Sequence, residues 1–222
     1  MSKHNSLKRN QMRGHLAYLA ARLMADGGVQ DYAQAKQKAA RQAGVPDTQA
    51  LPDNREIEEA LRAYQSLYQQ EEHGEVLAHL RSQAVQLMGE FAQFNPYLVG
   101  SVLTGTAARY SDINLHLFCD SPKDVEISLL NKKMPYESGM RRTRLGDRSL
   151  EVPTLTLNFE GTTATLSVFH TDDLRIAPKH RADGRPVERA RIGQVQELLE
   201  SAVDMPAQDD DSLIHSAAVK AK

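Results

Sequence analysis

Apolar residues recur at helical spacing throughout the first 95 residues of the chain. In four segments they lie three or four positions apart, so a helix would gather them on one face. Asp31 is a natural N-cap for the second segment, and Gly44 is a natural end for it. The pattern predicts four packing helices, at residues 7–28, 31–44, 54–70 and 75–94.

After Asn95-Pro96 the helical spacing gives way to short apolar or alternating segments. Residues 97–99 are apolar, and residues 113–118 alternate between apolar and polar side chains, which is typical of a half-buried strand. Three more strands are predicted between residues 139 and 170. The predicted chain reversals between these three strands are at Gly146-Asp147 and Glu160-Gly161.

Two further helices are predicted in this second half. Ser121 is a plausible N-cap followed by Pro122 at the first helical position, and residues 185–203 carry a second apolar stripe. The predicted fold class is α+β, a helical region followed by a mixed sheet flanked by helices. The predicted divisions are a helical region at 1–95, an α/β domain at 96–205 and a loose tail at 206–222.

Composition narrows the functional classes only slightly. The net charge of -2 does not favour a dedicated nucleic-acid binder, which usually has a strong basic excess. The single cysteine, Cys119, excludes an intramolecular disulfide and suits a reducing compartment. No apolar run is long enough for a signal peptide or a membrane span. We therefore expect a soluble cytoplasmic protein without a membrane partner.

Candidate chemistry is concentrated in residues 98–118, LVGSVLTGTAARYSDINLHLF. Gly100-Ser101 follows an apolar strand and precedes a helical segment, an arrangement that lets backbone N–H groups and a hydroxyl approach phosphate oxygens. Asp112, Asn114 and His116 alternate along the next strand and therefore face the same side. Carboxylates on such a face can hold the Mg²⁺ ion that phosphoryl transfer requires. We interpret His116 as a half-buried histidine of the strand.

These residues resemble the motif of the DNA polymerase beta-like nucleotidyltransferase superfamily. The family pattern is an apolar residue, Gly, Ser or Gly, about ten residues, and then Asp-apolar-Asp/Glu-apolar on a strand; the resemblance covers roughly residues 80–170. It implies a nucleoside triphosphate bound at Gly100 and Ser101 and Mg²⁺ held by Asp112, with Asp112 and Asn114 in the catalytic positions. The implied reaction transfers a nucleotidyl group to an acceptor that is a small molecule, a protein or RNA.

Two departures from that pattern indicate a degenerate metal site. Asn114 occupies the position of the second acid. The later strands offer Asn158 or Ser167 where the family has a third carboxylate, and we expect one of these two beside Ser101. Because Mg²⁺ depends on negatively charged oxygen ligands, the sequence predicts weak nucleotide binding and slow or absent transfer. A non-catalytic descendant of the family is the close variant of this hypothesis.

A group of arginines is the basis of an alternative functional hypothesis. Four arginines crowd the predicted hairpin near residue 146, and Arg142 and Arg144 share one side of it. They are candidates for binding the phosphates of a nucleotide or RNA, or for a charged edge strand that resists aggregation. The alternative function is a non-catalytic helical interaction protein with a protein or RNA partner, which uses the α/β half as a scaffold.

Overall fold

The computed structural model describes residues 2–26, 28–29, 31–45, 51–68, 70–146, 148–179 and 184–203. Within these residues a helical N-terminal region is followed by a mixed sheet of seven strands. The predicted α+β fold class is therefore confirmed. The helices are α1 (Ser2–Ala25), α2 (Tyr32–Gln42), α3 (Asn54–Tyr68), α4 (Gln70–Glu90), α5 (Ser101–Thr104), α6 (Pro122–Asn131) and α7 (Ile192–Val203).

The sheet combines one parallel pair with antiparallel neighbours. The strand bounds are β1 (Tyr97–Val99), β2 (Ile113–Phe118), β3 (Tyr136–Leu145), β4 (Arg148–Phe159), β5 (Thr162–Phe169), β6 (Pro178–Lys179) and β7 (Arg189–Ala190). The strand order is β6-β3-β4-β5-β2-β1-β7, and only β2 and β5 run parallel among the described strands. The three strands predicted after residue 139 are present as β3, β4 and β5.

The chain reverses at the predicted positions. Glu160 and Gly161 have φ angles of 49° and 87° between β4 and β5, and Gly146 has φ 59° between β3 and β4. Asp147 lies outside the described residues, as does the predicted tail at 206–222. Among the described helices, none combines the length and the apolar character that a membrane crossing requires.

Two larger hydrophobic cores and one small one form among the described residues, and the division between the two larger cores falls before residue 95. The first lies among α1, α2 and α3 and includes Leu16, Ala39 and Ile57. The second joins the sheet to α4, α6 and α7, and Leu87 of α4 belongs to it. In this second core, helices cover the sheet face that carries Ile113, Leu115 and Leu117. The opposite face carries Asn114 and His116.

A capping box fixes the start of α3. The backbone N–H of Glu56 donates to Oδ1 of Asp53 at 2.9 Å, and the backbone N–H of Asp53 donates to Oε2 of Glu56 at 2.7 Å. Nε of Arg13 on α1 donates to the same Glu56 oxygen at 2.7 Å. These bonds hold α1 and α3 together beside the cavity described below.

Candidate functional site

The Gly100-Ser101 turn joins β1 to α5. Gly100 has φ 78°, in the left-handed region that favours glycine, and Ser101 is the first residue of α5. The backbone N–H groups of Leu103 and Thr104 both donate to the main-chain oxygen of Gly100 at 3.0 Å. A Cβ atom at Gly100 would lie 3.7 Å from Nδ2 of Asn114, so the turn passes close to the β2 side chain.

A buried arginine of α4 donates hydrogen bonds to the short helix that follows this turn. Arg81 of α4 is 8% exposed, and it donates from Nε to the main-chain oxygen of Val102 at 3.1 Å and from Nη2 to that of Leu103 at 3.2 Å. Burial lowers the pKa of Arg81 below its ordinary value. The two bonds satisfy main-chain oxygens of α5 and fix the short helix against α4. Nothing in the sequence near Arg81 predicts this role, because its partners lie 21 and 22 residues away.

Asp112 and Asn114 stand next to the turn. Asn114 pairs with Val99 in the β1–β2 register, and its Nδ2 donates to the main-chain oxygen of Asp112 at 3.2 Å. Asp112 is half-buried immediately before β2, and burial raises the pKa of its carboxyl above the ordinary value. A bound cation would favour the charged form and oppose this effect.

Gly100, Ser101, Asp112 and Asn114 line one cavity of about 700 Å³. The cavity lies between the sheet edge and the α1–α3 region, so the two cores meet across it. Its helical wall includes Tyr32, whose pKa is raised to about 12 by burial and by the charge of Glu58. The lining from α1–α3 and the segments between them is Met24, Ala25, Asp26, Gly28, Val29, Tyr32, Asn54, Arg55, Glu58 and Leu61.

The rest of the lining comes from two loops. Residues 104–112 contribute Arg109 and Tyr110 near the entrance to β2, and residues 185–188 contribute Arg185 and Glu188. The hydroxyl of Ser111 accepts a hydrogen bond from the N–H of Ala108 at 2.9 Å, which shapes the first of these loops. The cavity thus offers both guanidinium groups and carboxylates to a ligand.

Two other acids of the cavity have partners on the helices. Asp26 accepts a hydrogen bond from the Tyr64 hydroxyl at 2.7 Å, and Glu58 pairs with Arg62 at 2.9 Å. Among the residues that the structure describes, no group of three or more His, Cys, Asp or Glu side chains is placed to hold a metal ion. A site built from three carboxylates is therefore not present in this part of the chain.

The residue opposite Asn114 on the neighbouring strand is Thr165, and beyond it on β4 lies Thr156. Ser167 pairs instead with His116, and Asn158 accepts a hydrogen bond from the N–H of Gly161 at 3.0 Å in the β4–β5 reversal. Neither Ser167 nor Asn158 lines the cavity. The expectation that one of them lies beside Ser101 is wrong, because the parallel β2–β5 register brings Thr165 to that row.

Arg142 and Arg144 lie apart from these residues. Both are exposed, and they lie on the part of the β3–β4 hairpin where β4 no longer pairs with β5. Nη2 of Arg142 is 3.7 Å from Oε1 of Glu151. Neither arginine lines the cavity. The structure therefore does not bring them together with Gly100, Ser101 and Asp112, and their role in nucleotide binding stays a prediction.

His116 is more deeply buried than expected. It is 7% exposed, and its ring centroid is 4.7 Å from that of Phe169. Burial lowers the pKa of His116 to about 3, and the charges of Arg141 and Arg189 act in the same direction. The imidazole is therefore neutral near neutral pH, and it does not line the cavity.

Sequence reasoning missed the helical wall of the cavity. Tyr32, Arg55 and Glu58 belong to ordinary amphipathic helices and carry no local motif. Only the docking of α1–α3 against the sheet edge makes them part of a site. Comparison of the chain with protein-family models, curated proteins and solved structures gives no significant match.

Proposed function

We propose that the protein is nucleotidyltransferase-like and binds a nucleoside triphosphate in the cavity beside Gly100. The observation that carries the proposal is the convergence of a glycine-serine turn, Asp112 and Asn114 on one cavity between two cores. A volume of about 700 Å³ is within the usual range for small-ligand sites. The order strand, turn, short helix, strand is the order that the family resemblance implies.

In this proposal the triphosphate lies along the Gly100-Ser101 turn. The Ser101 hydroxyl donates to a phosphate oxygen, and the absence of a side chain at Gly100 leaves room for that approach. Arg109 and Arg185, on the two loops, supply positive charge for the remaining phosphate oxygens. The nucleoside then extends toward Tyr32 and the apolar residues of the helical wall.

The residues present fit one Mg²⁺ ion that arrives with the triphosphate, and they do not fit a pair of ions. Mg²⁺ is commonly held by one or two carboxylates together with substrate phosphates and water, and Asp112 supplies one carboxylate. When bound there, the ion would neutralise part of the phosphate charge. The carboxamide of Asn114 brings no charge to the site.

Transfer, if it occurs, follows the chemistry that the family resemblance implies. An acceptor hydroxyl attacks the α-phosphorus and loses its proton to solvent, a phosphorus–oxygen bond to the acceptor forms, and the bond to the β-phosphate oxygen breaks to release pyrophosphate. The acceptor is a small molecule, a protein or RNA. With one acid in the motif, we expect turnover to be slow or absent, as in a pseudoenzyme that retains the nucleotide site.

A second candidate is a non-catalytic interaction protein that uses the α/β half as a scaffold. Asn114, Thr165 and Thr156 are direct neighbours on three adjacent strands. All three side chains are uncharged, whereas catalysis needs acids on this part of the sheet, and this favours the second candidate. Helices α1–α3 have a hydrophobic core of their own, so their outer surface could bind a protein or RNA partner. This candidate predicts no Mg²⁺-dependent nucleotide affinity.

We also propose a cytoplasmic location. Cys119 is a free thiol, and its Sγ donates to the main-chain oxygen of Ser121 at 3.1 Å. Burial raises the pKa of this thiol, which keeps it protonated and unreactive. A chain without a disulfide suits a reducing compartment.

Calorimetric titration with ATP and GTP, each with and without Mg²⁺, tests the nucleotide site. We expect saturable, Mg²⁺-dependent binding by the wild-type protein and its loss in Asp112→Asn. The matched control is Asp172→Asn, which neutralises an exposed aspartate outside the cavity. Equal binding by both variants contradicts the assignment of Asp112, and no binding by any of the three proteins favours the scaffold.

A further inference from the structure

A cluster of aromatic rings lies farther along β2, on the same sheet face as Asn114. Tyr97 is opposite His116 in the β1–β2 pair, and Phe118 is opposite Phe169 in the β2–β5 pair. The Tyr97 and Phe118 ring centroids are 5.7 Å apart, and those of Phe118 and Phe169 are 5.5 Å apart. We call these four residues the Tyr97 cluster. None of them lines the cavity.

Two polar atoms at this cluster are buried without a hydrogen-bond partner. They are Nδ1 of His116 and Nη1 of Arg189. Arg189 donates from Nη2 to the main-chain oxygen of Leu174 at 2.8 Å, and its guanidinium carbon lies 4.9 Å from the Tyr97 ring centroid. Roughly 90% or more of buried polar groups in proteins have a partner. Two such atoms at one cluster are therefore available to bind a ligand or a water molecule.

Three arginines act on the Tyr97 cluster. Arg191 donates from Nε to the Tyr97 hydroxyl at 2.9 Å, and the charges of Arg141 and Arg189 both act on His116. In the described part of the chain, no carboxylate forms an ion pair with Arg141, Arg189 or Arg191. A guanidinium that is partly removed from water without a counter-charge is unfavourable. Its contact with the Tyr97 ring offsets only part of that cost.

We propose that Arg189 and His116 bind an oxyanion, a phosphate or carboxylate group, at the edge of the Tyr97 cluster. Nη1 of Arg189 donates to one oxygen in the plane of the guanidinium, a geometry suited to these groups. Neutral His116 donates to the anion from Nδ1–H, which is one of its two tautomers. This site is separate from the nucleotide cavity and does not rest on nucleotide binding there.

A short turn lies against the site. The short 3-10 turn Thr171–Arg175 contributes the Leu174 oxygen that Arg189 contacts, and none of its five residues is buried. The side chain of Leu174 packs against the Tyr97 cluster. The polar contacts of the turn are two exposed hydrogen bonds, with Thr171 donating to Asp120 at 2.6 Å and Asp173 accepting from Arg148 at 3.2 Å. Such contacts contribute little to stability.

The competing occupant is a single water molecule. A buried water commonly bridges polar atoms that lack a protein partner. The two occupants can be distinguished by adding phosphate. A site for an oxyanion becomes saturated with phosphate, whereas a site for water does not respond to it.

The test follows the ring nitrogens of His116 by NMR in the full chain. The protein has eight histidines, and His116→Gln assigns the relevant signals. Inorganic phosphate is added at constant ionic strength near neutral pH, and acetate is added in a second series. We expect a saturable shift of the His116 signals with at least one of these anions. Ser101→Ala should leave the shift unchanged, which separates this site from phosphate bound in the cavity.

Two arginine variants complete the test. Arg189→Gln should weaken the anion affinity by about tenfold or more, as expected for loss of a charge-assisted hydrogen bond. Arg41→Gln, which removes an exposed arginine of α2, should leave it unchanged. The proposal is overturned if neither anion gives a saturable shift in the wild-type protein. It is equally overturned if a folded Arg189→Gln binds as tightly as the wild type.

Discussion

Nδ2 of Asn114 donates a hydrogen bond to the main-chain oxygen of Asp112, with the two atoms 3.2 Å apart. The bond fixes the side chain of Asn114 next to the Gly100 turn. A carboxylate has the same size but no N–H, so it cannot make this bond. Asn114→Asp therefore exchanges a local hydrogen bond for a negative charge on the cavity wall.

Restoring acids at two positions should strengthen Mg²⁺-dependent nucleotide binding. Asn114→Asp adds a carboxylate near Asp112, and Thr165→Asp adds one from the position opposite residue 114. Because Mg²⁺ prefers charged oxygen ligands, we expect the double variant to bind Mg²⁺-ATP about tenfold tighter than the wild type, or roughly 1.4 kcal/mol. Calorimetry in the presence and absence of Mg²⁺ measures the difference.

The control for this prediction is Asn158→Asp. Neither position 158 nor position 165 lines the cavity, but only position 165 is directly opposite residue 114, whereas Asn158 lies one strand farther away. Asn158→Asp also keeps an oxygen that can accept from the N–H of Gly161. A gain in the double variant that does not require Mg²⁺, or an equal gain in the control, would show that the added charge does not act through a metal ion.

Removing the guanidinium of Arg81 should loosen the Gly100-Ser101 turn. Arg81→Met keeps much of the apolar stem and leaves the main-chain oxygens of Val102 and Leu103 without their donor. We expect the free energy of unfolding to fall by about 1–3 kcal/mol, and nucleotide affinity to fall with it. Urea unfolding and calorimetry measure the two effects. Full stability and full affinity in this variant would contradict the supporting role of Arg81.

Glycine is required at position 100 for its backbone conformation. Gly100→Ala should lower the free energy of unfolding by about 1–2 kcal/mol, because φ 78° is unfavourable for a residue with a Cβ atom. Gly74→Ala is the matched control, since position 74 lies in α4 with nothing near its Cβ position. That change should raise stability by roughly 0.5–1 kcal/mol. The same sign for both variants in urea unfolding would contradict the turn geometry.

Acid should destabilise the fold through His116. Its pKa is about 3 in the folded protein, against 6.5 as the ordinary value. Between these values the unfolded chain binds a proton that the folded chain does not, so stability falls as the pH is lowered, by about 1.4 kcal/mol per pH unit. Above this range the group contributes no pH dependence. His116→Gln should reduce the slope in urea unfolding followed between about pH 7 and pH 4, and an unchanged slope would contradict the burial of His116.

The sequence predicts what depends on local spacing. The N-cap at Asp31, the strand at residues 113–118 and the turn at Gly100 all follow from residues within a few positions of one another. These features use helical or strand periodicity and the conformational freedom of glycine, so no distant contact is needed to predict them.

The remaining features depend on contacts between distant parts of the chain. Thr165 stands beside Asn114 because β2 and β5 pair in parallel across 50 intervening residues, and no local pattern sets that register. The helical wall with Arg55 forms only when α1–α3 dock beside the sheet. Likewise, alternation places Arg142 and Arg144 on one side of β3, and only the length of the hairpin shows that they lie outside the cavity.

The most direct test of the nucleotide site is a crystal structure of the protein with Mg²⁺ and a non-hydrolysable ATP analogue. We predict triphosphate density between the Gly100-Ser101 turn and Asp112, with the nucleoside extending toward Tyr32. Triphosphate bound instead at Arg142 and Arg144, or crystals that remain without nucleotide when the analogue is in large excess, would contradict the account.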